Sequence, residues 1–382
     1  MDVACTDFHP ILCVKGISRR HRYAARSPLR SLTRAIERSA PELIVAADDI
    51  AIGHLQALRA TGRPELAKLI EQSLGPSASY DSIASRARFI AAAQSAGVDA
   101  PDCAEIATAD GLRGWLREFG APAFLKLDGT CGGEGVTFVR EADEAVVVFA
   151  SLNRSASRAR ERAAGAFKAS GRAALPRDKP PVISIQKAVA GQPANCSAFA
   201  WRGEVLGVIS VVTLQTLHPF GIATVVRPVE NHAMREAAVA IARELNLSGF
   251  FGLDFILQEG GQQAWVLELN PRPTPISHFA LGPGKDLVAA LISTVEGRAR
   301  TDRPIGFQPG ANIAIFPHLL RGRSAELEQQ DDWPVGQPRL VGAFARRRKF
   351  AEYRALVRNW LAPQKGAATP VELTRSSGTS RN

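Results

Sequence analysis

Residues Gly252–Pro273 read GLDFILQEGGQQAWVLELNPRP, and this stretch decides the fold. Two strands, Gly252–Gln258 and Ala264–Asn270, flank a turn at Glu259-Gly260-Gly261-Gln262, the pattern of a hairpin. A hairpin centred on Gly261 sets Asp254 opposite Glu268. Asn270 shares their face, because side chains alternate along a strand. Phe255, Leu257, Leu267 and Leu269 then point the other way, into a core. Two carboxylates about 5 Å apart repel by roughly 3 kcal/mol at an effective dielectric near 20, so such a face holds a proton or gathers cations. Asp, Glu and Asn offer hard oxygen ligands, which suit Mg²⁺ holding a polyphosphate and suit Zn²⁺ poorly. A solvated hairpin face would account for an Asp–Glu pair alone. It accounts less well for Glu-Leu-Asn-Pro-Arg-Pro, where two prolines fix the chain just where Arg272 enters.

The 382 residues suffice for two or three subdomains, and 46% apolar with 22% charged content is ordinary for a soluble globular protein. No apolar run approaches a membrane span, and MDVACTDFHP has neither the basic nor the apolar region of an export signal. The five cysteines (Cys5, Cys13, Cys103, Cys131, Cys196) are odd in number and lack CxxC spacing, which fits free thiols in a reducing cytoplasm. The net charge of +10 is local: Arg154–Lys179 carries +6 and Arg346–Asn382 carries +7, leaving a body of −3. Neither basic segment interleaves aromatics as a base-stacking platform would, so no nucleic-acid partner is expected. A solvated surface or an anionic partner explains these segments better.

Before the hairpin, residues 1–80 alternate strand-like and helix-like runs. Pro10–Lys15 reads as a strand, Leu29–Ser39 as a helix, and Glu42–Ala47 as a buried parallel strand. Asp48-Asp49 then caps a helix over Ile50–Ala60. The rhythm predicts a small parallel sheet covered by helices. Asp48 and Asp49 sit where such sheets bind ligands, although capping explains them equally well. No Gly-rich dinucleotide loop follows any strand here, which argues against an NAD enzyme. Asp81–Ala96 reads as one helix capped by Asp81 and ended by Gly97, and Asp110–Phe119 as another. Strands Ala123–Leu127 and Val136–Arg140 bracket Asp128-Gly129-Thr130-Cys131-Gly132-Gly133-Glu134-Gly135.

This loop is the second chemical signal. Four glycines in seven residues leave many free N–H donors that can close over phosphates, and a plain Gly-rich hairpin is the structural alternative. Lys126 lies inside an apolar strand, where an ammonium needs an anionic partner. Beyond it come a helix over Glu141–Leu152 and a basic stretch ended by Pro176–Pro181. Strand Val182–Gln186, a turn at Lys187–Gly191, and strands Ala194–Trp201 and Glu204–Val212 follow. Asn231–Leu245 is an amphipathic helix. After the hairpin, Asp286–Glu296 reads as a helix, Ala311–Phe316 as a strand, Asp331–Val341 as irregular and Phe344–Leu361 as a basic helix.

Lys126, the loop GTCGGEGV, the hinge Ile185–Gly191 and the Asp254…Glu268-Leu-Asn270-Pro-Arg272 hairpin, in that order, resemble the ATP-grasp superfamily of carboxylate–amine and carboxylate–thiol ligases over roughly Asp81–Pro273. The resemblance implies an α/β (α+β) chain: a short parallel α/β domain over 1–80, an ATP-grasp domain over 81–300, and a C-terminal extension over 301–382. Two subdomains would clamp ATP, the smaller, lid-like one covering 123–190 with its basic insertion at 154–180. By position, Lys126 would hold the α/β-phosphates, and Gly132, Gly133 and Gly135, with Val136 beside them, would close over the β/γ-phosphates. Gln186, Lys187 and Val189 would form the adenine hinge, and Arg86 stands where relatives reach ATP with a basic residue. Asp254, Glu268 and Asn270 would hold two Mg²⁺ ions, Mn²⁺ being a possible substitute, and Arg272 would neutralise the transferring phosphoryl group.

The implied activity is ATP-dependent conversion of a small carboxylate to an acyl phosphate for attack by an amine or thiol. The implied partners are a small-molecule carboxylate and amine, in a cytoplasmic protein with no membrane partner and with a homodimer as a possible assembly. An ATP-binding regulatory protein without turnover, or a phosphotransferase on the same fold, is the alternative. Three departures stand out. Gln192, Pro193, Ala194 and Asn195 follow the hinge where relatives often carry a ribose-binding acid, Gln186 replaces a frequent glutamate, and Gly252 stands where some relatives carry an arginine. Thr274, Ser277, His278 and His218 are candidates for substrate contacts, with capping or core roles as the alternative; either histidine could serve as a base toward the amine.

Overall fold

The computed structural model describes residues 1–128, 135–170, 182–258, 260–261, 263–321 and 327–347. In chain order the strands and helices are β1 (Asp2–Cys5), β2 (Arg19–Arg22), α1 (Pro28–Ser39), α2 (Asp49–Arg59), α3 (Pro64–Leu74), α4 (Ser77–Ile83) and α5 (Arg86–Ser95). They continue with β3 (Cys103–Ile106), α6 (Ala109–Phe119), β4 (Ala123–Leu127), β5 (Val136–Val139), α7 (Ala142–Ser170), β6 (Ile183–Lys187), β7 (Gln192–Trp201), β8 (Glu204–Thr216) and β9 (Ala223–Pro228). The chain closes with α8 (His232–Glu244), β10 (Gly249–Leu257), β11 (Ala264–Asn270), α9 (Leu287–Glu296), β12 (Ile313–Ala314) and β13 (Gln330–Asp331).

Two sheets hold every strand except β1 and β2. The order β11-β10-β7-β8-β9-β12-β13 makes a seven-stranded sheet, and β3-β6-β4-β5 makes a four-stranded one. Alternation sorts each strand. Ala123 and Leu125 of β4, Val139 of β5 and Ile183 and Ile185 of β6 pack on α6 and α7 through Leu112, Trp115, Leu116 and Phe149. Lys126 and Gln186 are left on the opposite face. On the larger sheet Met234, Ala238 and Ile241 of α8 meet Ala198, Leu253, Phe255 and Val266 in a core shared with Phe89 and Ile90 of α5. Helix α8 begins where Asn231 accepts a hydrogen bond from the Met234 N–H at 2.9 Å.

The β10–β11 hairpin forms with Asp254 opposite Glu268 and Gly252 opposite Asn270. Nearer the turn the register slips by one, so Phe255 faces Val266. The bulge makes Val266 the fully buried residue and leaves Leu267, expected in the core, only half-buried.

The N-terminal unit departs from expectation. Pro10–Cys13 is a 3₁₀ turn, not a strand, started by His9 Nδ1 accepting from the Ile11 N–H. Residues 42–47 form no ladder: Val45 is exposed, and Ile44 N–H donates to Ser73 Oγ at 3.0 Å. The parallel pair is β1 with β2, whose RRHR sequence carries no strand signal. Asp48 caps α2 as expected, accepting from Ala51 N–H at 2.7 Å. The helix expected from Asp81 is two helices, broken where Ser85 caps α5 by accepting from Arg88 N–H at 3.3 Å. That break puts Arg86 in the first turn of α5. Farther on, 338–347 is helical, six residues ahead of the basic helix expected from Phe344, and most of that expected helix lies outside the described residues. Among the described residues no helix is long and apolar enough to cross a membrane.

Candidate functional site

The site is assembled from three chain segments that meet at β11. Glu268 accepts from Arg86 Nε at 3.0 Å, and Arg86 Nη1 donates to Asp128 Oδ1 at 2.8 Å and to the Leu127 carbonyl at 3.2 Å. The first turn of α5 is thereby tied to the end of β4. Lys126, 7% exposed, donates to Gln186 Oε1 at 2.5 Å, and Gln186 Nε2 donates to the Leu267 carbonyl at 3.2 Å. The bulge frees that carbonyl from the ladder, so the irregularity in the hairpin is what joins the small sheet to the large one.

Asp254 is held from both sides. Its Oδ1 accepts from Asn195 Nδ2 at 2.7 Å and its Oδ2 from Asn270 Nδ2 at 3.3 Å, while Asn195 Oδ1 accepts from Thr213 Oγ1 at 3.0 Å. Arg272 Nε contacts both oxygens of Asp49 at 3.1 Å, and its Nη2 donates to Asn270 Oδ1 at 3.2 Å. Asp49, in the first turn of α2, therefore brings the N-terminal unit to the edge of the site.

The electrostatics separate the two opposed carboxylates. Burial, then Glu268 across the strand pair, push the Asp254 carboxyl up to about 6. Burial works the same way on Glu268, but Arg86 and Lys126 outweigh it and hold that carboxyl below its usual value. Burial pulls the Lys126 ammonium down against the opposing pull of Glu268, and it pushes Asp128 up against Arg86. Asp128 Oδ2 is buried without a hydrogen-bond partner among the described residues. The cluster thus holds one firmly ionised carboxylate among cations and one carboxyl short of a counter-charge. Its donors are oxygens from Asp254, Glu268 and Asn270, a set that fits Mg²⁺, which takes one or two protein carboxylates and completes its octahedron with water and phosphate oxygens. Among the described residues no group of three or more His, Cys, Asp or Glu side chains forms a closed metal cage.

Lys126, Arg86, Gln186, Asp254, Glu268, Asn270 and Arg272 are therefore gathered in one place. Val136 lies directly across the ladder from Lys126, and the Gly135 carbonyl accepts from Leu127 N–H at 2.9 Å. Gly132 and Gly133 lie outside the described residues. In the hinge, Lys187 turns its ammonium to the Phe119 carbonyl at the end of α6, and Val189 is half-buried. Gly191 admits no side chain, since a Cβ there would collide with the Leu257 carbonyl. At Gly252 a Cβ would meet the Thr274 methyl, so a side chain at that position requires Thr274 to move.

Of the more distant candidates, Ser277 bridges Ser197 Oγ at 2.6 Å and the Thr274 N–H at 2.7 Å in a buried turn, a structural role. His278 Nε2 lies 2.8 Å from Asp332 Oδ1, and exposed His218 pairs its Nδ1 with the Pro219 carbonyl. Sequence reasoning missed Asp128, Thr213 and the pairing of Asp49 with Arg272. Asp128, the carboxylate that opens the glycine loop after Lys126-Leu127, was legible in principle; the other two depend on tertiary contact.

A family model for the ATP-grasp domain matches residues 176–275. The chain is 23% identical over 122 residues to a carbamoyl-phosphate synthase of Methanobrevibacter smithii, a match covering 30% of this chain and 33% of that protein. A biotin carboxylase of Campylobacter jejuni, solved with an ATP analogue, superposes with a TM-score of 0.55 at 16% identity, over 75% of this chain and 63% of that one. An N5-carboxyaminoimidazole synthetase of Staphylococcus aureus, solved with ADP, superposes with a TM-score of 0.54 at 14% identity, over 81% of this chain and 73% of that one. Residues 176–275 thus match the ATP-grasp domain, and the chain has the fold of these solved proteins.

Proposed function

With the ATP-grasp fold as premise, we propose that the protein is an ATP-dependent ligase that activates a small carboxylate as an acyl phosphate and passes it to an amine or thiol. The observation that supports this reading is the register of one hairpin. It sets Asp254 against Glu268 beside a buried lysine and two arginines, the parts that phosphoryl transfer needs for positioning and charge neutralisation.

Asp254, Glu268 and Asn270 would hold magnesium, two ions in the fullest form of the reading, with Mn²⁺ a possible substitute. When bound, the metal neutralises charge on the phosphate oxygens. Lys126, already desolvated and hydrogen-bonded to the neutral Gln186, is set to take a phosphate oxygen as its anion. Gly132, Gly133, Gly135 and Val136 belong to the loop that would cover the phosphates, and Gln186, Lys187 and Val189 to the hinge beside the base. Arg272 faces the developing charge of the transferring group.

One carboxylate oxygen of the substrate attacks the γ-phosphorus, and the bond to the β-phosphate oxygen breaks to release ADP. The amine nitrogen or thiol sulfur then attacks the carbonyl carbon, phosphate leaves with the former carboxylate oxygen, and a proton departs to solvent. Water must be excluded between these steps, which gives the covering loop a second purpose.

The test is release of ADP and phosphate with MgATP and pooled carboxylates, with and without pooled amines and thiols. Release that requires a carboxylate together with a nucleophile is the expected result. Nucleotide binding with no release under any combination overturns the proposal.

A further inference from the structure

Arg272 and Asp49 present opposite charges side by side at the rim of the site, one on the hairpin and one on α2. We infer that the activated carboxylate belongs to an amino acid, whose carboxylate meets Arg272 and whose ammonium meets Asp49; the inference rests on the ligase reading above and narrows its substrate.

Three observations carry it. First, Arg272 is incompletely used: Nε goes to Asp49 and Nη2 to Asn270, while Nη1 has no hydrogen-bond partner among the described residues. A guanidinium fork with a free corner is suited to a ligand carboxylate. Second, Asp49 is not needed as a helix cap, because Asp48 already accepts the Ala51 N–H. The Asp49 side chain is 52% exposed, so both its oxygens remain open to a second donor such as an ammonium. Third, the two elements are close neighbours. Ile52 and Gln56, one and two turns along α2 from Asp49, line a narrow cavity together with Tyr80, Phe251 and Pro271, the residue that precedes Arg272.

An exposed ion pair is weak and opens cheaply. A zwitterion inserted there exchanges one salt bridge for two. A carboxylate without an ammonium, bicarbonate included, gains Arg272 but meets the uncompensated charge of Asp49. Holding the substrate's own nitrogen as an ammonium also keeps it from acting as the nucleophile, which assigns this amino acid to the acyl-donor position.

The experiment compares matched substrates with the full chain, MgATP and pooled amines. Glycine, alanine, aspartate and glutamate are set against acetate, propionate, succinate and glutarate, with bicarbonate alongside, and phosphate release gives kcat/KM. For wild type at least one amino acid is expected to exceed its desamino partner by ten-fold or more. In Asp49→Asn that ratio is expected to collapse toward one, chiefly through KM of the amino acid. If Asp49 only aligned Arg272, both members of the pair would fall together and the ratio would stand, which overturns the inference and leaves the ligase intact. Equal use of desamino acids or of bicarbonate by wild type overturns it as well, without requiring any variant to fold. No release with any carboxylate overturns both readings.

Discussion

Two arginines reach the same hairpin and meet carboxylates there in opposite circumstances. Arg86 is 11% exposed and is shared between Asp128 and Glu268, which are 11% and 29% exposed. Arg272 is 20% exposed, and its partner Asp49 is 52% exposed. The first cluster is desolvated, so each member depends on the others. The second is wetted on one side and loses little when parted. The difference matches the two proposed uses: the buried cluster would hold the architecture and charge of the nucleotide side, and the rim pair would open to a substrate.

The two arginines should differ most when Arg86 is replaced. Replacing it with leucine leaves the buried Asp128 without its cation and takes one from Glu268, and removing one partner of such a cluster costs about 3–5 kcal/mol. The expected outcome is a large drop in the urea midpoint, and an unchanged midpoint would show the cluster to be solvated. Glu268→Gln removes the anion facing Arg86 and Lys126, and with it a proposed magnesium ligand. Turnover should fall by at least ~10²-fold, as for loss of a transition-state electrostatic group, with far-ultraviolet circular dichroism unchanged. Lys126→Ala should weaken ATP binding by roughly 10–100-fold, the worth of a charge-assisted hydrogen bond, read by titration calorimetry.

A smaller effect is expected with pH. Asp254 is raised from 3.8 to about 6 by burial and by Glu268, so the folded protein binds a proton there that the unfolded chain has released. In chelator, this group should make the protein more stable as pH falls from about 6 toward 4, the opposite of the usual carboxylate trend. Asp254→Asn should abolish that component of the melting profile, and a variant with the same profile as wild type would refute it. The smallest effect belongs to the rim. Asp49→Asn should shift stability by no more than about 1 kcal/mol, as exposed pairs do, in contrast to Arg86→Leu. A loss comparable with that of Arg86→Leu would erase the distinction between the two arginines.

Much of this is written locally in the chain. The period-two pattern of the hairpin and the position of its glycines suffice to set Asp254 opposite Glu268, and the apolar strand around Lys126 marks that lysine as needing a partner. Helices with good caps, α2 at Asp48, α8 at Asn231 and α9 at Asp286, are legible for the same reason. What escapes a local reading depends on contacts between distant segments. The bulge that buries Val266 and frees the Leu267 carbonyl answers to Gln186, 81 residues away in sequence. Glu42–Ala47 has a strand's composition but finds no ladder, while Arg19–Arg22 has none of it and pairs with β1. Asp49 reads as a helix cap in sequence, and only the 223-residue return of the chain brings Arg272 to it.

Phosphorylation of a substrate carboxylate in the proposed site would be recorded in the fate of the carboxylate oxygens. The substrate carboxylate, labelled with ¹⁸O in both oxygens, is turned over with unlabelled MgATP and an amine, and the released phosphate is analysed by mass spectrometry. One ¹⁸O per phosphate is predicted, because phosphate leaves with an oxygen that began on the carboxylate. Phosphate free of label would mean that water or another acceptor took the phosphoryl group, and the acyl-phosphate account would fail.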